Sequence, residues 1–316
     1  MRKRVYIPIG LPGSGKSTWA NKFMSEGDCV VISSDAIRGE LYGDENIQGD
    51  PNVVFGIVKQ RLADAVCGDC TNIILDATNL KKKDRIAHIA DLERRVRNSS
   101  KQTRDTQYDL IAVWFAVPLD ECLKRNAGRK RVVPTEVIER MWKNFCPPGY
   151  EEGFNEIMVL VSDYDAEHYS VEHFLDVADV FDQHNPHHTH TLGGHCRKAQ
   201  EYVIANGGDE ILSFATLIHD NGKLLTATYV NGKGETTDVQ HFYQHHCVGA
   251  YDAPFYCRTK GLTNEETIRV ANLIYYHQHP MMQWKSEKVK EKDVARMSSE
   301  FYSDLMLLHD GDRKAH

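Results

Sequence analysis

Gly10-Leu11-Pro12-Gly13-Ser14-Gly15-Lys16-Ser17-Thr18 lies between an apolar run, Val5 to Ile9, and a stretch that places Trp19 and Phe23 on one face of a helix. The order predicts strand, glycine-rich turn and helix, with the turn's backbone N–H groups and the helix N-terminus facing an anion. Gly13, Ser14, Gly15 and Thr18 would cradle the phosphates of a nucleoside triphosphate. Lys16 would reach the β- and γ-phosphates, and Ser17 would ligate Mg²⁺. The first half is therefore expected to use ATP with Mg²⁺.

A chain of 316 residues predicts two domains. No apolar run approaches the ~18 residues of a membrane helix, so no membrane partner is expected. Met1-Arg2-Lys3-Arg4 leads into a short strand rather than a signal peptide. Cys67 and Cys70 form C-x-x-C without a second pair to complete a zinc site, and the eight cysteines show no framework spacing. Reduced thiols and a cytoplasmic location are expected. All but one of the 16 histidines lie after residue 160, and the same half carries the acidic excess behind the net charge of −7. Imidazole is the commonest transition-metal ligand, so a phosphate-handling half joined to a metal-binding half is predicted.

Further strand signals fall at Cys29–Ser33, Asn72–Leu75, Leu110–Val117 and Val159–Val161. Helical patterns alternate with them, which predicts an α/β parallel sheet with helices on both faces. Ligands in such sheets sit at the carboxyl ends of the strands. There stand Asp76, ending one strand, and Asp35 with Arg38, three apart on a helical turn. A carboxylate beside the cradle can accept the proton of an attacking hydroxyl, and an arginine can hold an acceptor phosphate. The basic run Leu123 to Arg131 contains Gly128, as a mobile lid would, and Arg125 and Arg129 could clamp the transferring phosphoryl group. Lys81, Lys82, Lys83, Arg85, Arg94, Arg95 and Arg97 could track a nucleic-acid backbone, although such runs are more often a solvated helix face.

Gly10–Ala20, Asp35 with Arg38, Asp-Ala-Thr-Asn-Leu at 76–80 and Lys124-Arg125-Asn126-x-x-Arg129 together resemble the P-loop polynucleotide 5′-kinases. The resemblance covers about residues 4–150 within a domain placed at 1–161. It implies that Asp35 is general base for a 5′-hydroxyl and that Arg38 binds the acceptor phosphate. It also implies that Lys16 and Arg129 stabilise the transition state, with Arg125 on the nucleotide. Asp76 looks like the family's second active-site carboxylate, near substrate. The aspartyl-phosphate phosphatases need Gly and Thr where Ala166 and Glu167 follow Asp163-Tyr164-Asp165. Residues 162–172 are accordingly read as linker.

Beyond that linker the pattern turns helical. The stripe Ile211, Phe214, Ala215, Ile218 ends in His219-Asp220-Asn221-Gly222-Lys223, which offers an imidazole and a carboxylate to one metal. His195, His245 and His277 fall on apolar helical faces. At ~100° per residue Asp312 shares the stripe of Phe301, Leu305 and Leu308, whereas Asp310 faces away. Residues 173–316 resemble the all-α HD-domain phosphohydrolases. The resemblance implies one or two divalent transition metals held by His195, His219, Asp220, His245, His277 and Asp312, with Asp220 also catalytic and Lys223 on the substrate phosphate. Asn221 departs from the apolar residue that family prefers, and His241, His246 and His279 each lie near one of these ligands as alternatives. The polar loop Gln183–His190 is a further phosphate-contact candidate, and Asn-Gly-Lys-Gly at 231–234 suggests a hairpin tip.

The two resemblances together imply a bifunctional healer of RNA or DNA strand ends, working upstream of a nucleic-acid ligase. It would phosphorylate a 5′-hydroxyl and remove a 2′,3′-cyclic, 2′- or 3′-phosphate. The alternatives are a kinase of hydroxymethylated bases in DNA, or a kinase fused to a hydrolase of free nucleotides.

Overall fold

The computed structural model describes residues 2–25, 27–99, 106–129, 131–185 and 189–316. Lys130 of the basic run and residues 186–188 of the polar loop lie outside them. Contacts divide the chain into two units, residues 1–141 with 148–162, and residues 142–147 with 163–316.

The first unit is an α/β sheet of five parallel strands. In chain order they are β1 (Lys3–Ile9), β2 (Cys29–Ser33), β3 (Asn72–Asp76), β4 (Tyr108–Ala116) and β5 (Glu156–Val161). The spatial order is β2-β3-β1-β4-β5. In register, Val5 faces Ile73 on one side and Leu110 on the other. Both faces of the central strands are apolar, as a sheet covered on both sides requires. Among the described residues, six helices connect the strands: α1 (Lys16–Ser25), α2 (Ser34–Tyr42), α3 (Pro51–Cys67), α4 (Lys82–Arg97), α5 (Leu119–Ala127) and α6 (Thr135–Trp142). Trp19 and Phe23 of α1 pack on Tyr6, and Trp19 also meets Phe115. This aromatic cluster seats α1 against the sheet and so aims its N-terminus.

The second unit is mainly helical: α7 (Val171–Val180), α8 (Leu192–Ala205), α9 (Glu210–Leu217), α10 (Lys223–Thr226), α11 (His245–Lys260), α12 (Asn264–Tyr276), α13 (Glu287–Val294) and α14 (Ser299–Lys314). Side-chain caps start several of them. Thr191 accepts from Gly194 N–H, Asp209 from Leu212 N–H and Ser298 from Phe301 N–H. One expectation is corrected here. The unit is not all-α, because β6 (Ala227–Val230) and β7 (Thr236–Phe242) form an antiparallel hairpin around the Asn-Gly-Lys-Gly tip. Within the stretch expected as linker, Tyr164 and Tyr169 lie on Phe255, and α7 begins at Val171. Among the described residues, no helix is long and apolar enough to cross a membrane.

Candidate functional site

The carboxyl ends of β1, β3 and β2 lie side by side, and the first constellation forms there. Gly13 has φ +90°, and a Cβ on it would collide with the Cys122 carbonyl oxygen, so glycine is required. Gly15 has φ +94°. Lys16 Nζ donates to the carbonyls of Gly10 and Leu11, both at 2.8 Å, and lies 3.3 Å from Ser14 Oγ. Burial pushes the Lys16 ammonium down to about 8, with Asp76 pulling the other way. Ser17 Oγ donates to Asp76 Oδ2 at 3.0 Å. Burial raises the Asp76 carboxyl, opposed by the Ser17 hydroxyl and by Lys16. A hydroxyl and a carboxylate held together beside the cradle are hard oxygen donors, the type that suits Mg²⁺.

Asp35 sits in the first turn of α2, whose N-cap is Ser33. Its Oδ1 accepts from Arg38 Nη1 at 2.7 Å, and its Oδ2 pairs with Arg131 Nη1 at 2.5 Å. Arg131 was read only as part of a basic run. Its place three residues beyond Gly128 gave no sign that it would reach α2. A cavity of about 1120 Å³ brings together the cradle, Asp35, Arg38, Asp76, Arg125, Arg129 and Arg131. Arg125 lies on α5 and is paired to Glu121 at 2.9 Å, whereas Arg129 follows the end of that helix at Gly128.

One candidate for a nucleic-acid track is excluded. Arg85 is fully buried, donating to Glu152 at 2.7 and 2.6 Å and to the Asn79 carbonyl at 3.0 Å. Asn79 has φ +49°, and its amide donates to the Pro8 carbonyl at 2.8 Å. The chain Glu152–Arg85–Asn79–Pro8 fixes the turn that follows Asp76. Arg94 and Arg95 are both paired with Asp91.

The second constellation collects the ends of five helices. His195 lies one turn into α8, His219 and Asp220 follow α9, His245 opens α11, His277 caps α12, and Asp312 lies in the last turn of α14. All six are buried. His195, His219, Asp220 and Asp312 offer ligand atoms within 4.8 Å of one another, as do Asp220, His245 and His277. Asp220 divides its oxygens between the two groups. Oδ2 lies 3.5 Å from His195 Nε2 and 3.4 Å from His219 Nε2, while Oδ1 lies 3.2 Å from His245 Nε2 and 3.6 Å from His277 Nε2. Asp312 Oδ1 lies 3.1 Å from His195 Nε2. Asp310 is exposed.

Three rings are oriented from behind. The Nδ1 atoms of His219, His245 and His277 meet the carbonyls of Thr216, Phe242 and Ile274 at 2.7, 2.8 and 2.6 Å. Each ring thereby turns its Nε2 edge to the centre, the arrangement that outer partners give to metal-bound histidines. His219 Nε2 and Asp220 Oδ1 are buried without a well-formed hydrogen bond. Buried polar atoms of that kind call for a partner, and the nitrogen and carboxylate donor set fits divalent transition metals. Burial opposes charge on His219, but Asp220 and Asp312 outweigh it and hold the imidazole well above its ordinary value. Burial likewise opposes the charge of Asp220, yet His219 and Lys223 hold its carboxyl well below the usual range. Lys223 Nζ meets Asp220 Oδ2 at 2.7 Å and donates to Gln183 Oε1 at 2.9 Å. Gln183 is thus the described part of the polar loop that reaches the site. Asn221 fills the close approach to α11 beneath the site, where a side chain on Gly249 would strike its Oδ1.

Residues 5–148 match the family model described as AAA domain. Over 154 residues the chain is 31% identical to L-seryl-tRNA(Sec) kinase of Methanococcus maripaludis, a match covering 45% of this chain and 52% of that protein. The chain therefore spans about half the length of that curated relative. Among solved structures, a Pnkp1/Rnl/Hen1 RNA repair complex matches at 21% identity and TM-score 0.34, over 44% of this chain and 43% of the other. A fungal RNA kinase matches at 14% identity and TM-score 0.40, over 52% and 76%. The cradle, the strand order and the match over residues 5–148 agree in giving the first unit a P-loop fold similar to the AAA domain.

Proposed function

We propose that this chain is a bifunctional end-healing enzyme for polynucleotides. The observation that carries the reading is the seating of Asp35 and Arg38 in the same cavity as Lys16. A carboxylate and a guanidinium side by side suit a hydroxyl that has a phosphate next to it, as a 5′-terminal nucleotide has. In the kinase step the acceptor O–H gives its proton to Asp35 as its oxygen bonds to the γ-phosphorus of ATP. The bond from the γ-phosphorus to its bridging oxygen breaks, and ADP leaves with the electron pair. Lys16 and Arg129 stabilise the charge that develops, Arg125 holds the nucleotide, and Arg38 fixes the acceptor phosphate. Ser17 and Asp76 would hold Mg²⁺, which supplies charge neutralisation on the phosphates.

The second unit acts as a phosphohydrolase on the other strand end. His195, His219, Asp220 and Asp312 would hold one divalent ion, and Asp220, His245 and His277 a second. Such ions supply Lewis acidity toward a phosphate and activate water. Lys223 would bind the substrate phosphate, held in place by Gln183. RNA ends with a 5′-hydroxyl and a 2′,3′-cyclic phosphate need both activities before a ligase can join them. Lys16→Ala is expected to abolish 5′-phosphorylation and spare phosphate removal, and Asp220→Asn to do the reverse. Loss of both activities in either variant would contradict two separate sites.

A second reading draws on the seryl-tRNA(Sec) kinase relative. In it the kinase acceptor is a hydroxyl on a group carried by RNA rather than the strand's own end. Transfer of labelled phosphate to seryl-tRNA but not to a 5′-hydroxyl oligonucleotide would favour it.

A further inference from the structure

We infer that the β6–β7 hairpin of the second unit carries a nucleobase subsite for the phosphate ester hydrolysed beside it, an inference that rests on the phosphohydrolase reading above. The hairpin is continuous with that site. β7 ends at Phe242, whose carbonyl meets His245 Nδ1 at 2.8 Å, and whose ring lies 5.4 Å from Lys223 Nζ. Lys223 in turn contacts Asp220. The loop segment at 183–185 is tied to β7: Gln240 N–H donates to the His184 carbonyl at 3.1 Å, and Asn185 Nδ2 donates to the Gln240 carbonyl at 3.1 Å.

Alternation along β7 puts Gln240 and Phe242 on one face and His241 on the other. Tyr229 belongs to the face of Phe242, because its hydroxyl accepts from Gln240 Nε2 at 3.3 Å. Tyr229 is 40% exposed there, and its ring lies 6.4 Å, centroid to centroid, from that of the exposed residue His184. Tyr243 is also 48% exposed, but it stacks on His241 on the opposite face. The face that leads from Asp220 through Lys223 and Phe242 thus ends in two open rings, Tyr229 and His184, with the buried Gln240 amide bonded to Tyr229 behind them. Protein sites that read single-stranded ends use this combination, an aromatic surface for the base and a cation for its phosphate. The ligand is a purine or pyrimidine carried by the scissile phosphate ester, either on an oligonucleotide end or on a mononucleotide.

The test compares three substrates of the metal-loaded full chain: a 3′-phosphorylated oligonucleotide, the same oligonucleotide with an abasic last unit, and a nucleoside 3′-phosphate. Tyr229→Ala is expected to raise KM by about five- to hundredfold for the base-bearing substrates, the worth of one base stack. The abasic substrate should be unaffected, Tyr229→Phe should restore KM, and Tyr243→Ala should behave as the parent. A defect limited to the oligonucleotide or shared by the mononucleotide would both support the subsite, and would assign its natural substrate. Equal effects on base-bearing and abasic substrates would overturn it. Binding of an oligonucleotide ending in 2-aminopurine gives a readout independent of hydrolysis. Quenching lost in Tyr229→Ala but kept in Tyr243→Ala supports the subsite, and no quenching in the parent refutes it. Failure of the parent to hydrolyse any of the three, or their 2′-phosphate and 2′,3′-cyclic counterparts, would instead remove the phosphohydrolase reading.

Discussion

Replacing Lys16 with methionine while following proton uptake on ATP binding tests the electrostatics of the cradle. In the free protein, burial lowers the Lys16 pKa from 10.5 to about 8. At 1.36 kcal/mol per unit, the charged form costs the fold about 3 kcal/mol. The unfolded chain binds this proton more tightly than the folded one. The penalty is therefore present in full below pH ~8 and fades as pH rises toward 10.5, so this group makes the fold more stable with rising pH in that window. A bound triphosphate supplies the missing anion and returns Lys16 to its charged form. ATP binding should then draw in about 0.1 proton at pH 7, about 0.5 at pH 8 and about 0.9 at pH 9. Calorimetric titrations in two buffers of different ionisation enthalpy measure this uptake directly. Lys16→Met should abolish it. The variant should also stabilise the free protein at pH 7, by about 3 kcal/mol less about 1 kcal/mol for each lost hydrogen bond to Gly10 and Leu11. No uptake between pH 8 and 9, or the same uptake in Lys16→Met, would refute the reasoning.

Asp220→Asn should lower bound cobalt from two ions per chain toward none, because both donor groups share this carboxylate, whereas Asp312→Asn should lose one; elemental analysis after gel filtration separates these outcomes. Arg85→Met leaves Glu152 buried and unpaired, so a loss of about 3–5 kcal/mol in urea unfolding is expected, and an unchanged midpoint would contradict the bracing role given to Arg85. Arg131→Gln should cut kinase kcat by about tenfold or more with ATP affinity nearly kept, as expected of a residue that orients Asp35; steady-state kinetics that show only a raised KM for ATP would place Arg131 on the nucleotide instead.

Local chemistry was legible in the sequence, and long-range pairing was not. The strand–glycine–helix order needed only neighbours in sequence, and β2 spans Cys29–Ser33 as its pattern indicated. Helical phase separates Asp312, which is buried beside His195, from the exposed Asp310. Arg85 shows the limit. Its neighbours Lys81, Lys82 and Lys83 suggest an exposed basic face, but its partner Glu152 lies 67 residues away and removes it from water. Arg131 was missed for a related reason, since a residue beyond the helix end can turn in any direction until its partner is known. Gln183 and the hairpin strands owe their roles to contacts with Lys223 and Phe242 that no periodicity encodes. The second unit's departure from an all-α fold falls at Asn-Gly-Lys-Gly, whose turn was legible in the sequence.

The most direct measurement uses one RNA oligonucleotide bearing a 5′-hydroxyl and a 2′,3′-cyclic phosphate, incubated with the protein, ATP, Mg²⁺ and Mn²⁺, with both ends read by mass. The account predicts a phosphate gained at the 5′ end and the phosphate lost from the other. An RNA recovered unchanged at both ends would contradict it.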